Sequence, residues 1–406
     1  MNDGRATGLL LVPGVVEKPL TLPTERAPAR PPPLALYVHI PWCLRKCPYC
    51  DFNSHALRGE MPEAAYLEAL TADLEQALPE IWGRPVDSVF FGGGTPSLLS
   101  AKGLDQLLTT LRTLLPIRPH AEITLEANPG TFEMARFRDY RQAGINRLSL
   151  GIQSFSPRHL VALGRVHDER EARTAAESAR GIFDRLNLDL MYALPGQTLE
   201  ELAVDLDTAL SFGPDHMSCY HLTVEPNTAF AEAPPPLPDE DLAAEMQNAV
   251  ELRLQAAGFR HYETSAYARS GAECRHNLNY WLFGDYLGIG AGAHSKLTFH
   301  DRVVRQARPK SPRDYLAGAV KGRGFSDYRN LDSEDLAFEF MMNALRLSAG
   351  FESGLFTERT GLPISSIRPR LDLAVERGFL EYDGLRIQPT ELGRRFLNDA
   401  LQIFLA

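Results

Sequence analysis

The sequence lacks an apolar segment long enough to cross a membrane. The longest apolar run near the start, Leu9 to Val16, is interrupted by Pro13 and Gly14, and it falls well short of the ~20 residues that a spanning helix needs. The first seven residues carry one arginine opposed by Asp3, whereas a signal peptide begins with a cationic segment followed by a longer apolar one. We therefore expect a cytoplasmic protein.

The chain has fewer basic than acidic residues, and it has few cysteines. The 406-residue chain has a formal net charge of −10, which disfavours broad attraction to nucleic acid or anionic lipid. Its five cysteines are too few for a disulfide scaffold. Three of them lie within eight residues, and in a reducing compartment such a group indicates metal binding.

Short β-rich runs alternate with longer helical patterns from Leu34 onward, which is typical of βαβ units around a parallel sheet. Six such units fall short of the eight that close a full barrel, so the pattern indicates either an open six-unit barrel or an open doubly wound sheet. In both folds, ligands bind at the carboxyl ends of the strands. The predicted strands are Leu36–Ile40, Ser88–Phe91, Glu122–Glu126, Arg147–Gly151, Leu186–Met191 and Met217–Thr223. The predicted helices are Glu63–Leu78, Leu104–Leu115, Phe132–Ala143, Glu169–Ile182 and Leu199–Phe212.

Composition and pattern divide the chain into three parts. Residues 1–33 are rich in proline and end in three consecutive prolines, which predicts a disordered extension. Residues 34–310 carry the strand and helix alternation, and residues 311–406 are mostly helical in pattern. Within the last part, Gly354 to Gly384 resembles a helix–turn–helix, followed by a β-wing at Leu385–Gln388 and a helix from Thr390. A DNA-reading role is disfavoured because acidic residues flank the recognition helix, namely Glu376, Glu381 and Asp383.

The clustered cysteines follow the first predicted strand in the segment YVHIPWCLRKCPYCDF. Cys43, Cys47 and Cys50 can hold three irons of a four-iron cluster and leave the fourth iron without a protein ligand. An open iron of that kind can bind the amino and carboxylate groups of S-adenosylmethionine (SAM), which the cluster can reduce to form a radical. The alternatives are a redox CxxC pair and a zinc site. Zinc requires a fourth ligand, for which only His55 is close in sequence.

A glycine-rich turn follows the next strand, in the segment FFGGGTP from Phe90 to Pro96. Glycines let a ligand approach the backbone closely. The turn lies one βα unit after the cysteine loop, so both segments are expected at the same rim. Polar side chains stand at or just after the later strand ends: Glu126, Gln153, Arg165 and Asp189.

From about Leu34 to its end the chain resembles the HemN/HemW group of radical-SAM proteins, on the stretches YVHIPWC, CPYCDF, GGGTPS, EANPG, GIQSF, LGRVH and NLDLMYALPGQT. The resemblance implies a partial six-unit (β/α) radical-SAM barrel with a mostly helical, winged-helix-like C-terminal domain. It implies a 4Fe–4S cluster held by the three clustered cysteines. It further implies that SAM is contacted by Tyr37, Gly93, Gly94, Thr95, Glu126, Gln153, Arg165, Asp189 and Thr223.

Two signatures distinguish the branches of this group. The oxygen-independent coproporphyrinogen dehydrogenases carry a further cysteine two residues beyond the third, and here that position is Phe52. The haem-chaperone branch instead shows CPYCDFNSH and HNxxYW, which are present as Cys47–His55 and His276–Trp281. This resemblance implies a protein that binds haem and delivers it to membrane-bound respiratory acceptors. The alternatives are a coproporphyrinogen III dehydrogenase and a winged-helix regulator that senses cluster status.

The haem ligand is expected in or near the HNLNYW segment. Haem iron accepts His, Cys, Met or Tyr as axial ligands, and Cys274, His276 and Tyr280 lie within seven residues of one another, ahead of a glycine-rich stretch that ends at His294. His276 is our first choice. Alternatively, the histidine and tryptophan of this motif brace the barrel wall.

Overall fold

The structure is a computed structural model that describes Pro28 and residues 30–81, 83–322 and 325–405. Nearly all of the predicted N-terminal extension lies outside these residues. The strands are β1 Leu34–Ile40, β2 Trp42–Cys43, β3 His55–Ala56, β4 Val86–Gly93, β5 Ile117–Ala127, β6 Arg147–Gln153, β7 Arg185–Tyr192, β8 His216–His221, β9 Arg260–Glu263, β10 Ala266–Ala268, β11 Asp285–Ile289, β12 His294–Thr298, β13 Val303–Ala307, β14 Asp327–Asn330, β15 Phe351–Glu352, β16 Leu380–Tyr382 and β17 Arg386–Pro389.

The helices alternate with the strands in the first two thirds of the chain and predominate in the last third. None of the described helices is long and apolar enough to span a bilayer. They are α1 Glu63–Ile81, α2 Ala101–Leu114, α3 Thr131–Met134, α4 Phe137–Ala143, α5 Pro157–Ala162, α6 Glu169–Arg180, α7 Leu199–Ser211, α8 Ala229–Glu232, α9 Glu240–Ala256, α10 Arg275–Trp281, α11 Pro312–Ala319, α12 Ser333–Ala344, α13 Ser353–Thr360, α14 Arg368–Glu376, α15 Glu391–Arg395 and α16 Leu397–Gln402.

The barrel part is an open twelve-stranded sheet. Its central strands run parallel in the order β11, β1, β4, β5, β6, β7, β8. All six predicted strands are present, and β11 adds a seventh parallel strand beside β1. Antiparallel strands extend both edges, β12 to β14 beyond β11 and β10 with β9 beyond β8. The carboxyl ends of the parallel strands therefore form one continuous rim.

Strand β1 shows how residues divide between the two faces of the sheet. Leu36, Val38 and Ile40 are buried in the hydrophobic core shared with the surrounding helices. Tyr37 and His39 point to the opposite, inner face, because successive side chains of a strand alternate. The predicted helices also form, although the single helix expected over 132–143 is divided into α3 and α4. At the break, the Arg136 guanidinium donates to the carbonyls of Leu98 and Leu99.

Helix α10 closes the amino-terminal end of the barrel interior. It packs against β1, β4 and β11. Ser88, near the start of β4, makes a 3.0 Å hydrogen bond with His276, and the Asn279 amide donates to the carbonyl of Asp285 at the start of β11 over 2.8 Å. The two largest sets of predicted site residues discussed below lie instead at the carboxyl rim and along β11.

The C-terminal part has its own hydrophobic core, which includes Phe340, Phe356, Leu371 and Ile387. Helices α13 and α14 are followed by the β16–β17 hairpin, and β15 joins β17 in a three-stranded sheet. This arrangement confirms the winged-helix-like prediction. The division at residue 311 stays a prediction. Helix α11 packs on α1 and β14 extends the large sheet.

Candidate cofactor pocket

The clustered cysteines lie on one loop that follows β1. Strands β2 and β3 hold the loop at its base, where Trp42 pairs with His55 and Cys43 with Ala56. The loop thus leaves the rim after Cys43 and returns to it at His55. It presents three free, partly exposed thiols at the end of the barrel, those of Cys43, Cys47 and Cys50.

The loop chemistry suits a cation shared by several thiolates. Burial raises the pKa of the Cys43 thiol, charges on Cys50 and Cys47 raise it further, and hydrogen bonds with Thr95 and Ser54 oppose the rise. Thiolates so placed repel one another, and a bound cation relieves that repulsion. No three His, Cys, Asp or Glu side chains of the described residues converge on a single metal ion. A four-iron cluster instead spaces its ligands around several irons.

The rim encloses a cavity of about 420 Å³, here called the cofactor pocket. The cysteine loop forms one wall, and the ends of β4 to β8 form the others. The structure brings together in its lining most of the predicted site residues, which are Cys43, Cys47, Cys50, Gly93, Gly94, Thr95, Glu126, Gln153, Arg165, Asp189 and Thr223.

The glycine-rich turn joins β4 to the cysteine loop by backbone hydrogen bonds. The Gly94 N–H donates to the Ile40 carbonyl over 2.7 Å, and the Thr95 N–H donates to the Trp42 carbonyl over 2.8 Å. Gly93 has φ +113°, and a Cβ there would lie 2.5 Å from the His39 ring. Only glycine fits such a position without strain. Its N–H also donates to Glu126 Oε2 over 3.3 Å.

Two carboxyl groups face this pocket with raised pKa values. Burial raises the pKa of Glu126 to about 8, and the neighbouring charge of Asp189 adds to the rise, while the Gly93 N–H and Arg147 oppose it. Burial also raises the pKa of Asp189, against hydrogen bonds with Asn187, Ser218 and Ser149. Both carboxyls resist ionisation when no cation is near. A cationic ligand in the pocket would stabilise their ionised forms, which would then serve as its counter-ions.

Arg165 connects the cysteine loop to the ends of β5 and β6. Its guanidinium donates to Asn128 Oδ1 over 2.6 Å, to the Gly151 carbonyl over 2.9 Å and to Cys47 Sγ over 3.5 Å. Asn128 in turn donates to Thr95 Oγ1 over 3.0 Å. Sequence reasoning missed Asn128, although it stands in the quoted EANPG stretch, two residues after Glu126. Alternate side chains of an extended segment point the same way, so its position two residues after Glu126 could have identified Asn128 as a pocket residue.

Gln153 and Thr223 occupy contrasting places in the cofactor pocket. Gln153 has φ +69°, an unusual value for a residue other than glycine, and its buried Oε1 has no hydrogen-bond partner among the described residues. Thr223 is exposed at the mouth and donates to Glu225 over 2.8 Å. The unpaired Oε1 marks a place where a polar ligand could donate the missing hydrogen bond.

Tyr37 lines a second cavity rather than the cofactor pocket. This cavity of about 450 Å³, here called the side cleft, lies along β1 and β11 and shares Phe52, Gly93 and Glu126 with the cofactor pocket. Its other lining residues include Tyr280, Tyr286, His294 and Lys310. A SAM contact by Tyr37 therefore stays a prediction, and it would have to be made across this shared wall.

His276 lies in the closed end of the barrel, with 1% of its surface exposed. Its Nδ1 bonds to Ser88, its backbone N–H donates to Glu122 Oε1 over 3.2 Å, and its ring stacks on Phe90 at 4.9 Å. Burial lowers its pKa to about 3, with a further contribution from Arg147. The ring lines neither cavity. These contacts favour the bracing interpretation, and the role as haem ligand stays a prediction.

Comparison with known proteins identifies the family to which the chain belongs. Family models for the Radical SAM superfamily and the HemN C-terminal domain match residues 37–209 and 331–396. A protein of Escherichia coli (strain K12) named heme chaperone HemW is 50% identical over 377 residues, which cover 92% of this chain and 99% of that protein. Relatives with the same name from Mycobacterium tuberculosis (strain H37Rv) and Bacillus subtilis (strain 168) are 38% and 35% identical, covering 95% and 91% of this chain and 97% and 98% of theirs. The chain belongs to the HemW family of radical-SAM proteins.

Membership of the HemW family confirms the resemblance seen in the motifs. A solved structure of Escherichia coli coproporphyrinogen III oxidase (HemN), described as a radical SAM enzyme, matches with a TM-score of 0.79 and 24% identity, covering 92% of this chain and 90% of that one. At that identity the match shows the fold, and it confirms the predicted α/β class. This chain and the HemN structure therefore share one architecture, and a shared fold does not by itself decide function.

Proposed function

We propose that this protein is a haem chaperone, which binds haem and delivers it to haem-dependent respiratory proteins while carrying a 4Fe–4S cluster with SAM at its open iron. The names of the HemW-family relatives support the haem role. Respiratory acceptors are membrane-bound, so transient contact with a membrane protein is part of the proposal. Binding of nucleic acid is not part of the proposal. A cytoplasmic location stays a prediction.

The residues of the cofactor pocket fit the cluster and SAM. Cys43, Cys47 and Cys50 would hold three irons, and the fourth would supply a coordination site for the amino and carboxylate groups of SAM. Glu126 and Asp189 provide carboxyls that become counter-ions for the sulfonium. The unpaired Gln153 Oε1 offers an acceptor.

Arg165 has a different role in the proposal, because it orients protein groups. Its hydrogen bonds to Asn128 and Gly151 and its contact with Cys47 keep the loop against the ends of β5 and β6. A loop tethered in this way presents its thiols in a fixed arrangement, and preorganised ligands bind more tightly than mobile ones.

The observation that carries the choice of branch is Phe52. The motif resemblance implies that the coproporphyrinogen dehydrogenases carry a further cysteine at that position. Here Phe52 is 63% exposed and stands between the cofactor pocket and the side cleft. An apolar ring in this place supplies no thiolate and offers a flat contact surface instead.

The alternative function is an oxygen-independent coproporphyrinogen III dehydrogenase, which the fold match to HemN keeps open. Reconstituted protein should be incubated in parallel with haem and with coproporphyrinogen, SAM and a reductant. Haem binding without formation of protoporphyrinogen supports the chaperone. Protoporphyrinogen as product would overturn it in favour of the dehydrogenase.

A further inference from the structure

The side cleft has a suitable size and position for a second ligand. Its volume of about 450 Å³ falls within the roughly 300–1,000 Å³ of small-molecule and cofactor sites. It opens to solvent, since His294 and Lys310 in its lining are exposed. It shares a wall with the cofactor pocket at Phe52, Gly93 and Glu126, so a ligand in the cleft would lie next to the site proposed for SAM.

Aromatic rings form much of the cleft. Tyr280 and Tyr286 meet edge to face, with ring centroids 4.3 Å apart. Tyr37 on β1 and the exposed Phe52 complete the aromatic part of the lining. Aromatic surfaces of this kind gain most from packing against a large flat ring system. The cleft therefore favours a planar, extended and largely apolar ligand.

One histidine in the cleft has a free imidazole. Both ring nitrogens of His39 are engaged, with Tyr37 Oη at 3.1 Å and the Asn53 carbonyl at 2.9 Å. His294 is the first residue of β12, and its backbone is fixed by pairing with Ala307. Its ring makes no hydrogen bond or ion pair within the part of the chain that the structure describes. A backbone-anchored imidazole with open nitrogens is a suitable axial ligand for haem iron.

The surrounding charges keep this imidazole in its metal-binding form. Partial burial lowers the pKa of His294, the cations of Arg305, Lys310 and Arg308 lower it further, and Asp327 opposes them. The neutral ring is the form that binds a metal. Lys310 itself forms no ion pair among the described residues, so its ammonium is available to a ligand carboxylate.

We propose that the side cleft is the haem site, with His294 as the axial ligand, Tyr280 and Tyr286 packed on the porphyrin, and Lys310 paired with a propionate. This proposal rests on the proposed haem-binding function and adds its location. It also gives the HNLNYW segment a role: His276 anchors α10 inside the barrel and its ring meets Tyr280 edge to face, with centroids 5.0 Å apart. The motif would thus serve haem through Tyr280, and His276 would act as a positioning residue.

The test is a haem titration of the full-length, cluster-reconstituted protein, recorded as difference spectra against haem-free protein. We compare wild type with His294→Ala, His276→Ala and a matched control, His300→Ala, whose side chain is 92% exposed outside the cleft. His294→Ala should lose at least about tenfold in affinity and shift the Soret band, and added imidazole should restore the band. The other two variants should keep the wild-type band position.

The outcomes separate this inference from the proposed function. If wild type fails to bind haem, the proposed function fails and the site with it. If wild type binds haem and His294→Ala keeps both its affinity and its Soret band, the site assignment alone is wrong. A changed Soret band in His276→Ala with an unchanged one in His294→Ala would return the ligand to the barrel interior.

A second variant tests the cleft without touching the iron ligand. Lys310→Glu should weaken haem binding roughly three- to tenfold, because it replaces attraction by repulsion at a partly exposed charge, and it should leave binding of haem dimethyl ester unchanged. Lys321→Glu, an exposed lysine in the turn after α11, is the matched control. Equal effects of the two variants on haem would overturn the propionate contact.

Discussion

Binding of SAM should release a proton from Glu126. The pKa of this carboxyl is raised from 4.5 to about 8 by burial and by Asp189. At pH 7 about 0.9 of the groups therefore carry a proton in the ligand-free protein. The sulfonium of SAM is a permanent cation, and in a low-dielectric pocket it favours the ionised carboxylate. Roughly 0.9 proton should thus leave Glu126 for each SAM bound at pH 7.

The measurement is isothermal titration of SAM in two buffers of different ionisation enthalpy. Coordination of the SAM amino group to iron also releases a proton, so the difference between wild type and Glu126→Gln isolates the carboxyl. That difference should fall to about 0.1 proton at pH 9, and the ratio of wild-type to Glu126→Gln affinity should rise roughly tenfold for each unit by which pH increases toward 8. Glu133→Gln is the matched control, because Glu133 is also a buried carboxyl with a pKa raised by burial but does not line the pocket.

The same carboxyl makes the stability of the ligand-free fold fall with rising pH, whereas the affinity for SAM rises. Its pKa is higher in the folded than in the unfolded chain, so folding binds a proton between pH 4.5 and about 8. Stability contributed at low pH is then lost as pH rises through that window. Thermal melting should show this loss in wild type and a smaller one in Glu126→Gln. Equal proton release and equal pH slopes in the two proteins would refute the placement of Glu126 against the SAM cation.

The remaining predictions concern the cluster, the branch and the edge of the barrel. Replacing any loop cysteine by alanine should remove the brown iron–sulfur absorption, whereas Cys219→Ala, at a buried position on β8, should keep it. A full cluster in any loop variant would contradict the assignment. Phe52→Cys should produce no protoporphyrinogen from coproporphyrinogen, SAM and reductant, since the surrounding pocket is unchanged; mass spectrometry of the products decides. Asp285→Asn should lower the free energy of unfolding by roughly 3–5 kcal/mol, because Asp285 pairs with buried Lys296 at 2.9 Å and with Arg84 at 2.8 Å. The exposed Asp301→Asn should cost less than about 1 kcal/mol in the same denaturant titration.

The parallel strands could be predicted because their two faces have different partners. In β1, for example, the outward side chains meet helices and the inward ones meet the ligand region, and the same logic marks Glu126 and Asp189 at strand ends. The predicted strands and helices differ from the observed ones mainly at their boundaries. The cofactor pocket was predictable for the same reason, because the carboxyl ends of parallel strands meet at one rim.

Strand β11 was missed because glycine interrupts its apolar pattern. A Cβ at Gly288 would lie 2.1 Å from the carbonyl oxygen of His294 on the neighbouring strand, so the fold requires glycine where β propensity disfavours it. In the sequence, the segment therefore looks like a glycine-rich loop. The side cleft was missed together with β11, since that strand supplies Tyr286 and the turn after it leads to His294.

This omission also explains why the sequence leads to His276, and not to the His294 that we propose, as the candidate haem ligand. A motif search weighs residues by their neighbours in the chain, and His276 is the histidine of the HNLNYW segment. The fold places that ring against Ser88 and Phe90 inside the barrel and turns Tyr280, one helical turn later, toward the cleft. Residues four apart on a helix share a face, so anchoring the first fixes the second. The ligand that we propose, His294, comes from β12, well beyond Tyr280 in the chain. The pairing of β12 with β13 and the course of β11 bring it to the aromatic rings.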